Sequence, residues 1–171
     1  HSISGLVVHH GDELLFRTEG YLEPYAWQRY DPAKERARAI NTALRGVSGT
    51  DFSDVEAVRL TARSKDGTLV PMTLVQRKGL RQTGNEPTIL TGYGGYGIST
   101  VPAYQLRRRA WLDQGGRVVI ANLRGGGEFG DRWHRDGNLT RKQSVFDDFI
   151  ACAEFLIRSN YTSSAKLAIE G

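Results

Sequence analysis

The N-terminal part of the chain alternates short apolar and polar stretches in the manner of β-strands. Four such stretches cover residues 5–9, 13–18, 26–30 and 37–40. Turn formers such as Gly11-Asp12 separate them. Strands of this length at a spacing of roughly 8–12 residues predict an antiparallel meander. Because four strands leave sheet edges unpaired, we expect them to belong to a larger array of strands.

A change in composition toward Gly, Ser, Thr and Asp at residues 46–54 predicts a domain boundary. Two apolar runs follow, at residues 55–62 and 68–76. The pair Asp66-Gly67 lies between them and favours a tight turn, since glycine adopts the positive φ that such a turn needs. The pattern therefore predicts a β-hairpin.

Beyond the hairpin, predicted strands alternate with predicted helices. The strands are residues 88–91, 117–122 and 166–170, and the helices are residues 101–114 and 143–158. This order is typical of a parallel sheet covered by helices, so the fold class is α/β. We expect two incomplete domains, residues 1–50 and residues 51–171.

The second predicted helix has an apolar face and an acidic first part. Its predicted core positions recur at helical spacing and are Phe146, Phe149, Ile150, Ala153, Leu156 and Ile157. Asp147 and Asp148 lie toward the positive end of the helix dipole. We interpret them as dipole partners rather than as an acid/base pair.

Composition excludes several classes of function. The 171 residues are 39% hydrophobic and 25% charged, as in folded globular domains. No apolar run approaches the ~20 residues of a membrane-spanning helix, so we expect no membrane partner. The single Cys152 cannot form an internal disulfide, and the four histidines lack metal-ligand spacing. We expect no metal and no cofactor, and the lone cysteine fits a cytoplasmic protein.

The net charge of +4 permits a polyanionic partner without requiring one. The densest basic run is Arg107-Arg108-Arg109, which falls in a predicted helix. No interleaved aromatic residues or nucleic-acid motif accompany it. We therefore interpret it as a solvated helix face and expect no nucleic-acid partner.

Two glycine-rich stretches, residues 92–97 and 125–130, both match the dinucleotide fingerprint G-x-G-x-x-G. The strand after the first stretch leads into Arg124 rather than ending in the acidic residue that would bind a ribose. An arginine there could suit a 2′-phosphate, so an NAD(P)-binding domain remains the less favoured alternative.

A glycine-rich loop after an early strand also supplies oxyanion donors in α/β-hydrolases. Tyr93 could place its phenolic O–H beside such an oxyanion. The competing interpretation is that Tyr93 and Tyr96 only cover the edge of the sheet. His134 precedes the expected nucleophile turn, whereas hydrolases of this fold carry the histidine last, so we interpret it as structural. Cys152 is predicted to be a buried, inert thiol.

Seven segments occur in an order that resembles the prolyl oligopeptidase family of serine peptidases. The first segment is residues 64–72, which contains SKDGT and VPM. The other six are GYGGY at 92–96, ANLRGGGEFG at 121–130, WH at 133–134, KQ at 142–143, FDDF at 146–149 and YTS at 161–163. The resemblance implies that residues 1–50 are the last strands of a β-propeller. It also implies that residues 51–171 are the N-terminal part of an α/β-hydrolase domain.

The family resemblance implies hydrolysis of short peptides, often after proline. Tyr93 matches the family's tyrosine that donates a hydrogen bond to the oxyanion. Tyr96 matches an aromatic residue, usually Phe, that lines the pocket for the residue before the scissile bond. The tyrosine adds a hydroxyl to that pocket.

The sequence contains no G-x-S-x-G nucleophile motif. In the family, that motif directly follows a strand like residues 167–170. We therefore expect the serine, aspartate and histidine of the triad beyond Gly171, in the remainder of the same polypeptide. The chain by itself is expected to be inactive. The alternative is a catalytically inactive module for peptide binding or assembly.

Overall fold

The computed structural model describes residues 1–40 and 50–171. This part of the chain forms two units. The first consists of the described residues up to Phe52 together with Val101–Leu106, and the second of Ser53–Thr100 and Arg107–Gly171. The predicted boundary at residues 46–54 falls partly on residues 46–49, which lie outside the described residues.

The first unit contains an antiparallel sheet. Its strands are β1 (Ser2–Val8), β2 (Leu14–Glu19), β3 (Ala26–Asp31) and β4 (Arg36–Ala39). They pair in sequence order, which confirms the predicted meander. The edge strand β1 exposes the apolar side chains of Ile3, Leu6, Val7 and Val8. Such an apolar edge is typical of a sheet that packs against further structure.

Val101–Leu106 corrects one sequence prediction. The pattern predicts a helix over residues 101–114, but the α-helix begins only at Arg108. Pro102 disfavours helical geometry at the preceding residue. Its carbonyl accepts a hydrogen bond from Ser2 Oγ at 2.9 Å. The ring of Tyr104 meets that of Phe52 edge-on at 5.3 Å, so the segment packs within the first unit.

The second unit is built on a mixed sheet. Its strands are β5 (Val55–Arg63), β6 (Leu69–Arg77), β7 (Thr88–Gly92), β8 (Arg117–Ala121) and β9 (Leu167–Glu170). They lie side by side in the order β5-β6-β8-β7-β9. The predicted hairpin is confirmed as the antiparallel pair of β5 and β6. Strand β7 runs parallel to both β8 and β9, which confirms the parallel arrangement of the three later strands.

Three α-helices belong to the second unit within the described residues: α1 (Arg108–Asp113), α2 (Gly130–Arg135) and α3 (Gln143–Arg158). The bounds of α3 agree with the prediction, whereas α2 was not predicted. Arg108 is buried and Arg109 pairs with Asp54 and Asp113. The basic run is therefore not simply a solvated face. No helix in the described part is both long and apolar enough to span a membrane.

The core of the second unit lies between the sheet and α3. Its members include Met72, Leu74, Leu90, Val119 and Leu156. The buried positions of α3 are Val145, Asp148, Ala151, Cys152 and Leu156. The predicted core face is thus wrong in part, because Phe146 and Ile150 are 54% and 53% exposed. The helix is rotated so that Asp148 faces inward, where it pairs with Arg124.

Candidate active site

Tyr93 directly follows β7 at the carboxyl end of the parallel strands. Its side chain is 48% exposed, and that of Tyr96 is 90% exposed. Tyr96 has a φ of 53°, in the left-handed region that non-glycine residues seldom adopt. Such a backbone persists only where its surroundings hold it. The two tyrosines predicted from the sequence therefore lie on one accessible and conformationally constrained loop.

Gly94 allows this loop to pack tightly against the rest of the second unit. It has a φ of 59°. A Cβ at this position would overlap Val145 Cγ1 and lie 2.8 Å from the carbonyl oxygen of Arg124. The loop is therefore wedged between the segment after β8 and the first turn of α3. Only a residue without a side chain fits there.

The second glycine-rich stretch lies against the first. The N–H of Gly97 donates to the carbonyl of Gly125 at 3.0 Å. A Cβ on Gly125 would lie 2.5 Å from the carbonyl oxygen of Gly94. A phosphate site needs backbone N–H groups facing a ligand at the start of a helix, but the helix that follows the first stretch, α1, begins only at Arg108. This backbone packing argues against the dinucleotide interpretation.

Arg124 is paired with protein carboxylates. Its Nε lies 2.9 Å from Asp148 Oδ2 and its Nη1 lies 2.5 Å from Asp66 Oδ2. These hydrogen bonds, that of Asp148 first, raise the pKa of Arg124. The interpretation of Arg124 as a 2′-phosphate ligand is therefore not supported. The interpretation of Asp148 as a dipole partner is likewise corrected, because its carboxylate is fully buried against the guanidinium.

His134 has a hydrogen-bonding role, as predicted. Its Nδ1 lies 2.8 Å from the carbonyl oxygen of Gly125, and its Nε2 lies 3.2 Å from Asn138 Nδ2. Because a carbonyl only accepts, these contacts favour the tautomer in which Nδ1 donates and Nε2 accepts from the amide. The ring thereby holds the second glycine-rich stretch in place.

Glu128 anchors the far end of the tyrosine loop, a role that sequence reasoning missed. Its Oε1 accepts the N–H of Thr100 at 2.8 Å and lies 3.2 Å from Asn122 Nδ2. Asn122 also donates to the carbonyl of Thr100 at 3.0 Å. No local pattern marks these residues, since they meet only when the loop folds back over the end of β8.

Arg117 is a second buried cation that the sequence did not reveal. It is completely buried and donates to Gln76 Oε1 at 2.9 Å and to the carbonyl of Arg81 at 2.7 Å. It also donates to the carbonyl of Tyr161 and pairs with Glu86. Burial lowers the pKa of this guanidinium. These contacts lie at the start of β8, whereas the tyrosines lie at the carboxyl ends of the strands.

Cys152 is buried in α3, as predicted. Burial, with a smaller contribution from Asp148, raises the pKa of its thiol to about 12. A thiol of this kind is largely protonated at neutral pH and is a poor nucleophile. Among residues 1–40 and 50–171, no three His, Cys, Asp or Glu side chains are grouped as ligands for a metal ion.

A pocket of about 470 Å³ opens beside the tyrosine loop. It is lined by Gly95, Tyr96, His134, Gly137, Asn138, Leu139 and Lys142. Tyr96 thus forms part of an open surface that a ligand can reach. Tyr93 lies beside this surface, since a Cβ on Gly95 would be 3.6 Å from Tyr93 Cζ.

The ends of β7 and β9 lie next to each other. The register pairs Thr91 with Glu170 in parallel. A Cβ on Gly171 would lie 3.2 Å from the carbonyl oxygen of Gly92. Tyr93 leaves β7 immediately after this point, so the end of β9 and the tyrosine loop share one edge of the sheet.

The chain belongs to the prolyl oligopeptidase family. The model described as "Prolyl oligopeptidase family" matches residues 102–171. An uncharacterized peptidase of Sinorhizobium fredii is 41% identical over 161 residues, which are 94% of this chain and 22% of that protein. This result confirms the family that the sequence motifs indicated.

Solved structures agree with this assignment. A prolyl endopeptidase structure superposes with a TM-score of 0.90 at 35% identity, covering 98% of this chain and 24% of that one. Prolyl oligopeptidase B from Galerina marginata, bound to a 25mer macrocyclization substrate, superposes with a TM-score of 0.88 at 32% identity. That match covers 98% of this chain and 24% of the other. The chain thus spans between a fifth and a quarter of the length of the proteins compared here.

Proposed function

We propose that this chain is part of a longer serine peptidase of the prolyl oligopeptidase type. In this proposal residues 1–50 are the last strands of a β-propeller, and residues 51–171 are the N-terminal part of an α/β-hydrolase domain. The division of the chain near Phe52 and the mixed sheet of the second unit support this assignment. The remainder of the same polypeptide supplies the other propeller blades and the rest of the hydrolase domain.

The observation that carries the proposal is the juxtaposition of the β9 end with the tyrosine loop. Gly171 lies beside Gly92, so a residue that continues from β9 emerges next to Tyr93. In α/β-hydrolases the nucleophile turn and the oxyanion donors must stand on either side of the same carbonyl group. We place the nucleophilic serine directly after Gly171 for this reason.

The chemistry follows from this placement. The serine hydroxyl attacks the peptide carbonyl, a histidine accepts the hydroxyl proton, and an aspartate orients that histidine. The carbonyl oxygen becomes negatively charged as the tetrahedral intermediate forms. The half-exposed phenol of Tyr93 donates a hydrogen bond to that oxygen. The histidine then protonates the departing amine, and water releases the acyl group. All three triad residues belong to the part of the polypeptide beyond Gly171.

The proposed substrate is a short peptide cleaved after proline. Tyr96 lines the pocket for the residue before the scissile bond, and its exposure beside an open cavity supports this role. The propeller limits access to short peptides. No cofactor, nucleic acid or membrane takes part. We also propose a cytoplasmic location, which the buried thiol of the single cysteine supports.

The test is to label the full-length protein with a fluorophosphonate probe and to assay a peptide that has proline before a chromogenic leaving group. We expect labelling of a serine just after Gly171, together with hydrolysis. The 171-residue chain alone should show neither. A full-length protein that remains unlabelled and inactive, yet binds the peptide, would instead be a binding or assembly module.

A further inference from the structure

Lys142 reaches from the start of α3 to the tyrosine loop. It occupies the N-cap position of the helix, where the structure shows no side-chain capping bond. Its Nζ donates instead to the carbonyl oxygen of Gly94 at 2.8 Å, across 48 residues of sequence. A hydrogen bond from a charged donor is stronger than a neutral one. The contact therefore fixes the direction of the peptide group between Gly94 and Gly95, one residue after Tyr93.

The ammonium group also lies on the same side of the loop as the phenol ring. A Cβ on Gly95 would lie 3.6 Å from Tyr93 Cζ and 3.8 Å from Lys142 Nζ. The phenol ring and the ammonium group therefore both lie within 4 Å of the same position beside Gly95. Lys142 forms no salt bridge with a carboxylate among the described residues, and its Nζ donates to the Gly94 carbonyl.

The first turn of α3 holds Gly94 in a second way. Val145 packs so closely against this glycine that a Cβ there would overlap its Cγ1. The polar contact of Lys142 and the apolar contact of Val145 thus act on the same residue. Since Gly94 already adopts a left-handed backbone, a small rotation of its peptide groups would move Tyr93.

We propose that Lys142 is a positioning residue for peptide hydrolysis. By holding the Gly94 carbonyl it sets the orientation of the Tyr93 phenol, and its charge strengthens donation from that phenol as the oxyanion forms. Positive charge placed where negative charge develops stabilises the transition state more than the bound substrate. This inference rests on the proposed role of Tyr93.

A purely structural role predicts a different result. If Lys142 only stabilised the fold, its removal would reduce activity by the same factor whether or not the Tyr93 hydroxyl were present. If it acts through Tyr93, its effect shrinks when the hydroxyl is absent, because interacting residues are not additive. The two roles are separated by a double-mutant cycle.

The experiment compares Lys142→Met, Lys142→Gln, Tyr93→Phe and the combination of Lys142→Met with Tyr93→Phe in the full-length protein. The matched control is Lys78→Met, because Lys78 Nζ also donates to a backbone carbonyl, that of Ser53 at 2.7 Å. The assay uses a proline peptide and reports kcat and KM separately. Thermal unfolding midpoints identify variants that are not folded.

We expect Lys142→Met to lower kcat by about tenfold, the loss of one charge-assisted hydrogen bond, with KM changed less than about twofold. Lys142→Gln keeps an N–H donor without the charge and should fall between the wild type and Lys142→Met. In the Tyr93→Phe background the effect of Lys142→Met should fall below about threefold. Lys78→Met should leave kcat unchanged.

An equal loss in both backgrounds would overturn the positioning role. So would normal kcat in Lys142→Met alongside a slow Tyr93→Phe, a result that leaves the proposed function of Tyr93 intact. Normal kcat in Tyr93→Phe would refute the role of Tyr93 itself and this inference with it. If Lys142→Met does not fold, the cycle is run with Lys142→Gln under the same criteria.

Discussion

Arg124 and Asp148 form a buried ion pair that joins the segment after β8 to α3. Asp148 accepts hydrogen bonds from Arg124 Nη2 at 2.6 Å, from Nε at 2.9 Å and from the Arg124 backbone N–H at 3.1 Å. The same arginine reaches Asp66 in the hairpin turn. One guanidinium thus connects three segments, and the Arg124 carbonyl packs against Gly94 of the tyrosine loop.

Loss of the Asp148 carboxylate should destabilise the protein. Breaking a buried ion pair costs about 3–5 kcal/mol, and we expect the lower end for Asp148→Asn because Asp66 still pairs with Arg124. Urea unfolding of the full-length variant measures the change. Asp147→Asn is the matched control, since within the described part of the chain the neighbouring carboxylate accepts a side-chain hydrogen bond from Gln143 alone, at 3.1 Å. Equal losses in both variants would contradict the assignment.

The Asp66–Arg124 contact should make stability depend on pH in the acid range. Hydrogen bonds from Arg124 and then from the Thr68 N–H lower the pKa of Asp66 from 3.8 to about 2. A pKa that is lower in the folded state contributes stability above the unfolded value and loses it as the pH falls through the folded value. Asp66→Asn should therefore be less stable than the wild type at pH 6.

The difference between the wild type and Asp66→Asn should shrink between pH 4 and pH 2, as the wild-type carboxyl becomes protonated. Thermal unfolding midpoints of both proteins across this range provide the measurement. A difference that stays constant down to pH 2 would show that the Asp66 carboxylate is not the titrating group.

Gly94→Ala should impair catalysis as well as stability. The added Cβ overlaps Val145 Cγ1 and presses on the loop that carries Tyr93. Gly79→Ala is the control, because Gly79 has a φ of 72° but no atom of residues 1–40 and 50–171, its chain neighbours aside, lies within 4 Å of the added Cβ. The control isolates the loss of folding free energy that comes from placing an alanine in the left-handed backbone region, about 1–2 kcal/mol. If both variants show the same kcat in the full-length protein, the packing of Gly94 does not set the position of Tyr93.

Tyr93→Phe should lower kcat by about 10²–10³, the usual effect of removing one oxyanion donor. The change deletes only the hydroxyl of a half-exposed side chain, so the unfolding midpoint should hardly move. Tyr96→Phe is the matched variant on the same loop and should change KM and the preference for proline rather than the rate of acylation. An unchanged kcat in Tyr93→Phe would remove the residue from the mechanism.

Cys152 should resist alkylation in the native protein. Its thiol is fully buried and its pKa is raised to about 12, so little thiolate exists at pH 8. Treatment with iodoacetamide followed by mass spectrometry of the peptide that contains Cys152 should show modification only after unfolding. Rapid modification under native conditions would mean that α3 opens readily.

The local sequence pattern was sufficient to predict the elements whose structure is decided by residues close together in the chain. The hairpin around Asp66-Gly67, the antiparallel meander and the bounds of α3 were predicted correctly because turn preference and periodicity act over a few residues. The position of Tyr93 after a parallel strand was also evident from the sequence. The family motifs added the expected role of that tyrosine.

Only the tertiary structure decided the contacts that hold the site. Residues 101–106 are not helical because Pro102 disfavours a helix and Tyr104 packs against Phe52. The inward face of α3 follows from the pairing of Asp148 with Arg124, which are 24 residues apart. The contact of Lys142 with Gly94 spans 48 residues. Periodicity describes one element at a time, whereas these contacts arise from how separate elements pack.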